Sequence, residues 1–264
     1  MTFSELLQQV RTQHTVVIPP DWAQGRAGFG GLVVALGYEA MLKQVGSQRP
    51  VRSLAITFVG PAAPETELSF EVQILREGKA VTQVLAKVCQ GDQVVTLMQG
   101  SFGLSRPSQI EVEPLAPTSL ADPQDCQALP YIAGVTPEFT RHIALHWGIG
   151  GLPFSHTPSR QMAGWMRFRE QEPHEVMTHA HLLALVDAWP PAVLPYLKHP
   201  APGSSLTWTI EFVHPLPELG SCDWLRYYAE IDFARDGYGH VAASTWSADG
   251  RLLAISRQTV SVFG

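Results

Sequence analysis

The residue best suited to chemistry is an aspartate within an apolar run. Asp187 is the one polar residue between Leu182 and Trp189. A buried carboxylate without partners is costly, so we expect Asp187 to be hydrogen-bonded or to serve a reaction, for example as a general base. The alternative is an aspartate at a helix end that simply reaches water, because Pro190 and Pro191 follow and stop the helix.

Two apolar helices are predicted, and one of them carries Asp187. The first spans 31–45 and the second 179–188. Both are apolar nearly all round, and a helix of this kind must be buried. Strands are predicted around them at 51–59, 67–75, 81–90, 93–104, 165–169, 206–213, 224–234, 240–248 and 252–263.

The predicted strands alternate between apolar and polar residues. In 67–75, Leu68, Phe70 and Val72 fall on one face, whereas Glu71 and Gln73 fall on the other. This alternation is typical of an antiparallel sheet with one covered face. A curved sheet wrapped around one buried helix satisfies both patterns, and two such units could pair their sheets edge to edge.

The element order occurs twice, which indicates a tandem duplication. Phe58–Pro61 (FVGP) matches Phe212–Pro215 (FVHP), and the segment 91–99 matches 250–258. A proline-rich stretch lies between the copies. The predicted organisation is therefore a module at 1–104, a linker at 105–137 and a second module at 138–264.

Composition excludes several classes of function. The net charge is −6 and no Lys/Arg cluster stands out, so neither nucleic acid nor an anionic membrane is an expected partner. The three cysteines, at 89, 126 and 222, are far apart, which argues against disulfides, a zinc site and an oxidising compartment. No apolar segment at the N-terminus or elsewhere predicts a secretory signal or a membrane span. We expect a cytoplasmic protein without a metal or other cofactor.

Four segments, in their order along the chain, resemble the double-hotdog acyl-CoA thioesterase family. They are Gly28–Gly31 (GFGG), Pro50–Phe58, Leu182–Pro191 (LLALVDAWPP) and Ser256–Gln258 (SRQ). The resemblance implies an α+β double hotdog, in which each module wraps a curved antiparallel sheet around a central helix. It also implies hydrolysis of acyl-CoA or another acyl thioester to the free acid and CoA. A homodimer or higher homo-oligomer is compatible with it.

The family's catalytic set is a helix aspartate, a strand hydroxyl and a late-strand glutamine. By resemblance these fall on Asp187, Ser205 and Gln258. Thr207 is kept as the alternative hydroxyl, because residues two apart on a strand point to the same side.

The resulting hypothesis is a water-activating site. Asp187 would accept a proton from water, which the hydroxyl and the Gln258 amide hold against the thioester. The backbone N–H groups of Gly30 and Gly31 would bind the oxyanion, since glycine lets a substrate approach the backbone closely. The alternative role of these two glycines is simple helix–sheet packing.

The two copies differ in their polar residues. By the sequence match, Tyr38 stands at the position of Asp187, Val51 at that of Ser205, and Gln99 at that of Gln258. We therefore expect two clefts related by the duplication, of which only the one built on Asp187 is competent.

Two other functions stay open at this stage. A non-catalytic acyl- or acyl-CoA-binding hotdog protein is one, because Thr207-Trp208 stands where the acyl-CoA thioesterase II branch tends to have Asp-His. A hotdog hydratase or dehydratase is less favoured. A resemblance to those enzymes would need a histidine with a nearby acidic residue on the central helix, and neither predicted helix carries this pair.

Overall fold

The computed structural model of the chain describes residues 1–169 and 175–263. Three α-helices are present in these ranges: α1 Phe3–Thr12, α2 Gly30–Val45 and α3 His179–Asp187. The strands of the first half are β1 Thr15–Val17, β2 Ala23–Gln24, β3 Ala27–Gly28, β4 Val51–Phe58, β5 Glu67–Glu77, β6 Val81–Gln90 and β7 Gln93–Gly103. Those that follow are β8 Gln127–Ala128, β9 Ile143–Ile149, β10 Gln161–Phe168, β11 Gly203–Phe212, β12 Leu225–Arg235, β13 Tyr238–Ser247 and β14 Leu252–Val262.

All strands except the small β2–β3 hairpin form one antiparallel sheet of twelve strands. Their order is β1-β5-β6-β7-β4-β11-β14-β13-β12-β10-β9-β8. The first half of the chain supplies one side of this order and the second half the other. They meet where β4 pairs with β11, for example at Leu54 opposite Ile210. The expected edge-to-edge pairing of two modules is confirmed.

The two central helices are buried, as their all-round apolar composition predicts. Leu32 and Leu36 of α2 and Leu182 and Leu185 of α3 have no exposed surface. The two helices pack against each other, and the sheet curves around them. This arrangement is the α+β double hotdog that the resemblance implies.

One helix was not expected from the sequence. The helix α1 begins at a capping box between Thr2 and Glu5 and packs against α2. Its buried residues are Phe3, Leu6, Leu7 and Val10, which have the spacing of one helix face. The apolar spacing that predicts a helix was thus present in the N-terminal segment.

The stretch 105–137 is mostly irregular and exposed, but it is not without structure. Its short strand β8 pairs with β9 and extends the sheet of the second half. No helix among residues 1–169 and 175–263 is long and apolar enough to cross a membrane.

Candidate active site

The structure brings Asp187, Ser205 and Gln258 together in one hydrogen-bonded chain. Asp187 is the last residue of α3 and is partly buried. The Gln258 side-chain nitrogen lies 3.3 Å from Oδ1 of Asp187 and 2.8 Å from Oγ of Ser205. A single amide group thereby holds the carboxylate and the hydroxyl in fixed relation to each other.

Ser205 reaches this chain because β11 contains a β-bulge. Ser205 pairs with Val260 and Thr207 pairs with Thr259, so Leu206 is an extra residue without a partner on β14. Such a residue shifts the alternation of side chains along the strand by one. Ser205 therefore points towards the helices, on the same side as Gln258.

The bulge places Thr207 on the opposite face, which corrects the expectation that Ser205 and Thr207 share a side. Thr207 is exposed, whereas its neighbour Trp208 is buried. Trp208 pairs with Gln258, so these two side chains share the inner face of the sheet. Thr207 thus faces away from the Asp187 carboxylate, whereas the Ser205 hydroxyl accepts a hydrogen bond from Gln258.

The start of α2, in the first half of the chain, borders the Asp187 carboxylate. The backbone N–H of Gly31 donates to the Asp187 carboxylate. A Cβ on Gly30 would lie 2.8 Å from Oδ2 of Asp187 and 3.2 Å from Cε1 of Phe58. Glycine suits this position, because a Cβ would force the Asp187 carboxylate or the Phe58 ring to shift.

Burial determines the protonation of Asp187. Burial raises the pKa of Asp187 to about 7, although the hydrogen bonds from Gln258 and from the Gly31 backbone lower it. A general base works best when its pKa is close to the pH at which it operates. The carboxylate is therefore suited to exchange protons near neutrality.

Two aromatic residues beside the carboxylate were not identified from the sequence. Phe58, at the end of β4, borders Gly30. Tyr227, on β12, stacks on Trp189 at 4.9 Å, and burial followed by the charge of Asp187 raises the pKa of its hydroxyl. Neither residue has a sequence signal, because an aromatic side chain in a strand usually belongs to the core.

The cleft at the equivalent place in the first half is filled with rings. His179 begins α3 as Gly30 begins α2. Its imidazole lies 6.3 Å from the ring of Tyr38, 5.0 Å from that of Phe212 and 5.0 Å from that of His214. In this cleft an imidazole and a phenol occupy the positions that a glycine and a carboxylate have in the other.

The strand register corrects one of the matches between the halves. Gln99 is exposed, whereas Gln258 faces inwards. Gln258 pairs with Trp208, and the equivalent pair in the first half is Gly100 with Leu54. The sequence match is displaced by one residue, because the β13–β14 hairpin has a longer turn than the β6–β7 hairpin.

Ser205 and Val51 are equivalent, as expected. The bulge in β11 at Leu206 recurs in β4 at Arg52, so both residues precede the same irregularity. Val51 is fully buried. The first half thus has no counterpart of any of the three polar side chains.

The ring cluster has its own electrostatics. Burial, followed by the proximity of His214 and Arg52, lowers the pKa of His179 to about 4. Within the described residues, its Nε2 atom is buried and has no hydrogen-bond partner. Among residues 1–169 and 175–263, no group of three or more His, Cys, Asp or Glu residues is placed to hold a metal ion.

The sheet order, the paired central helices and the site at their ends define a double hotdog protein. Two models of acyl-CoA thioesterase domains match the chain, the N-terminal domain over residues 18–103 and the C-terminal domain over residues 123–262. The chain therefore belongs to the acyl-CoA thioesterase family.

Solved structures agree with this assignment at the level of the fold. A conserved protein of unknown function with a hot dog fold from Alicyclobacillus acidocaldarius is 23% identical, with a TM-score of 0.81 over 95% of this chain and 92% of that one. The tesB protein of Mycobacterium avium subs paratuberculosis is 15% identical, with a TM-score of 0.79 over 100% of both chains. The acyl-CoA thioesterase II TesB2 of Mycobacterium marinum is 16% identical, with a TM-score of 0.72 over 94% and 92%. No curated protein matches the chain significantly in sequence.

The bulge leads to a prediction about the two candidate hydroxyls. We expect Ser205→Ala to lower kcat/KM for an acyl-CoA by about 10²-fold, the usual effect of losing one positioned polar group. Thr207→Ala should leave it unchanged, because that side chain faces away. Steady-state kinetics of both variants checks this, and a loss confined to Thr207→Ala would contradict the register described above.

The close approach at Gly30 leads to a second prediction. Gly30→Ala places a methyl group against Oδ2 of Asp187 and should lower kcat/KM by about 10²-fold, because small misplacements of a reacting group are costly. Gly60→Ala is the matched control, since a Cβ there meets no atom within 4 Å. Equal activities of the two variants would contradict the tight packing of Asp187 on the backbone.

Proposed function

We propose that this protein hydrolyses acyl-CoA thioesters with a water molecule activated at Asp187. The observation that carries the proposal is the chain of Asp187, Gln258 and Ser205 at the start of a buried helix. Membership of the acyl-CoA thioesterase family supports the substrate class. The geometry supports the assignment of roles.

The proposed attack uses the carboxylate as general base. Gln258 donates to both Asp187 and Ser205, so the Ser205 hydroxyl keeps its own proton for a hydrogen bond to the water. The water donates one proton to Asp187, and its oxygen attacks the thioester carbonyl carbon. Holding the water between fixed groups removes much of the entropic cost of this step.

The backbone at the start of α2 serves the oxyanion. The first N–H groups of a helix have no partner within the helix, and the helix dipole favours negative charge there. The Gly31 N–H is already used by Asp187, so we assign the oxyanion to the Gly30 N–H. The sequence led us to expect that the N–H groups of both Gly30 and Gly31 bind the oxyanion, and the proposal keeps only that of Gly30.

Collapse of the tetrahedral intermediate completes the reaction. The carbon–sulfur bond breaks, the thiolate of CoA departs, and the proton held by Asp187 passes to the sulfur. A carboxyl group with a pKa of about 7 can make this transfer, because the pKa of a thiol is about 8.5. Water and acyl-CoA thus give the free acid and CoA, with no other reactant.

Release of free CoA tests the proposal. Purified protein is incubated with acyl-CoAs of several chain lengths, and the thiol released is measured with a chromogenic disulfide. We expect turnover of at least one substrate. Saturable binding of acyl-CoAs without release of thiol from any of them would overturn the proposal and favour an acyl-CoA-binding protein.

A further inference from the structure

A cavity opens at the rim of the sheet in the second half of the chain. It has a volume of about 480 Å³, within the range of small-molecule sites. We call it the arginine pocket and define it by six of its lining residues: Arg160, Val193, Tyr196, Phe233, Arg235 and Val262. The roles assigned to Asp187, Ser205 and Gln258 leave this cavity unexplained.

The arginine pocket is positively charged in a protein of net charge −6. Arg160 donates to the backbone carbonyls of Ile231 and Asp232 at 2.8 and 2.9 Å. Arg235 lies over the ring of Phe233, at 5.6 Å from its centroid. Across the described residues, no carboxylate forms an ion pair with Arg160 or Arg235.

The other charges near the arginine pocket offset one another. Asp232, which also lines the cavity, forms an ion pair with Arg257. Lys198 and Asp236 each follow a lining residue and carry opposite charges. The guanidinium groups of Arg160 and Arg235, which have no ion-pair partner in the described part of the chain, therefore determine the sign of the potential, and guanidinium groups favour phosphate.

Exposed aromatic rings accompany the two arginines. Tyr196 is 43% exposed and Tyr238, also in the lining, 51%, whereas the Phe233 ring already has Arg235 over it and stacks on His240 at 6.5 Å. Rings that remain accessible beside arginines can stack on a nucleobase. An acyl chain needs none of these cations, so the lining favours a phosphorylated nucleoside over a hydrocarbon.

The arginine pocket lies within reach of the candidate active site. Val262 is four residues beyond Gln258 on β14, which corresponds to about 13 Å along a strand. The start of β11 connects them: Ser205 is partly exposed, and exposed Gly203 pairs with Val262. The pantetheine arm of CoA is long enough to cross this distance.

We propose that the arginine pocket binds the adenosine 3′,5′-bisphosphate part of the CoA substrate, which would place the thioester beside Asp187. This inference rests on the proposed thioesterase function for its substrate. The binding of the nucleotide can nevertheless be measured without any turnover.

Calorimetric titration with adenosine 3′,5′-bisphosphate tests the arginine pocket directly. We expect the wild-type protein to bind it and the double variant R160A/R235A to bind it about 10- to 100-fold more weakly, the usual effect of losing hydrogen bonds to charged groups. Titration with inorganic phosphate separates a nucleotide site from a general anion site. Absence of nucleotide binding by the wild type, equal binding by the variant, or equal affinity for inorganic phosphate would overturn the proposal.

A kinetic comparison provides the second test. The ratio of kcat/KM for an acyl-CoA to that for the N-acetylcysteamine thioester of the same acid should fall about 10- to 100-fold in R160A/R235A. Arg235→Glu removes no hydrogen bond to the backbone and should lower the same ratio. Arg76→Ala, at an exposed position near the end of β5, is the control and should leave the ratio unchanged. An unchanged ratio would overturn the proposal, whereas a lack of turnover with both substrates would overturn the thioesterase function and leave the titration decisive.

Discussion

Asp187→Asn is expected to lower kcat/KM for acyl-CoA by about 10²- to 10⁴-fold, the usual contribution of a general base. The asparagine keeps the size of the side chain and can still bond with Gln258, but it cannot accept a proton from water. Steady-state release of free CoA measures the loss. Asp92→Asn, in the exposed turn between β6 and β7, is the matched control and should retain full activity.

The pH profile identifies the group that is lost. A general base must be ionised, so kcat/KM of the wild type should rise with pH and level off above about 7, the pKa to which burial raises Asp187. The residual activity of Asp187→Asn should lack this rise. An unchanged rate or an unchanged profile in the variant would remove Asp187 from the mechanism.

The same substitution should stabilise the fold at alkaline pH. The pKa of Asp187 is raised from 3.8 to about 7 on folding. The folded protein therefore holds the proton more tightly, and stability is lost as pH rises from about 4 through 7. Asp187→Asn should thus raise Tm at pH 8, with a smaller difference at pH 4. The loss of activity would then come from chemistry and not from unfolding.

His179→Phe is expected to remove much of the acid sensitivity of the fold. The pKa of His179 is lowered from 6.5 to about 4, so the unfolded chain binds a proton that the folded protein excludes. The contribution of neutral His179 to the free energy of unfolding is fully present above pH 6.5. Up to about 3 kcal/mol of it is lost as the pH drops to 4. Phenylalanine fills the same space among the rings and has no proton to gain.

Two comparisons isolate this effect. At pH 7, His179→Phe should match the wild type or exceed it, because it removes a buried nitrogen without a partner, whereas His179→Ala should cost about 2 kcal/mol by leaving a cavity. Denaturant unfolding of the three proteins at pH 7 and pH 4.5 provides the measurement. Parallel losses of stability in the wild type and His179→Phe on acidification would contradict a neutral, buried His179.

The sequence predicts well the features that depend on apolar composition and on the internal repeat. The apolar composition of α2 and α3 requires burial, and the aspartate in the apolar run is the carboxylate of the candidate site. The edge-to-edge union of two modules follows from the repeat. These features depend on residue type alone, so no coordinate is needed to find them.

The features that the sequence does not predict depend on single-residue irregularities. The bulge at Leu206 decides that Ser205, not Thr207, lies on the inner face with Gln258, and no residue type marks this bulge. The longer turn before β14 displaces the match of Gln258 by one residue, from Gly100 to Gln99. Because side chains alternate with a period of two, an error of one residue exchanges the inner and outer faces.

The residues at the start of the two central helices show what joining the copies in one chain makes possible. In a symmetric dimer of identical subunits, each position is present in both clefts, so a glycine needed by one carboxylate is imposed on the other cleft as well. Covalent fusion releases this constraint. Gly30 could remain where Asp187 requires room, while its twin became His179 and the redundant cleft turned into core. Each chain is then expected to process one substrate at a time.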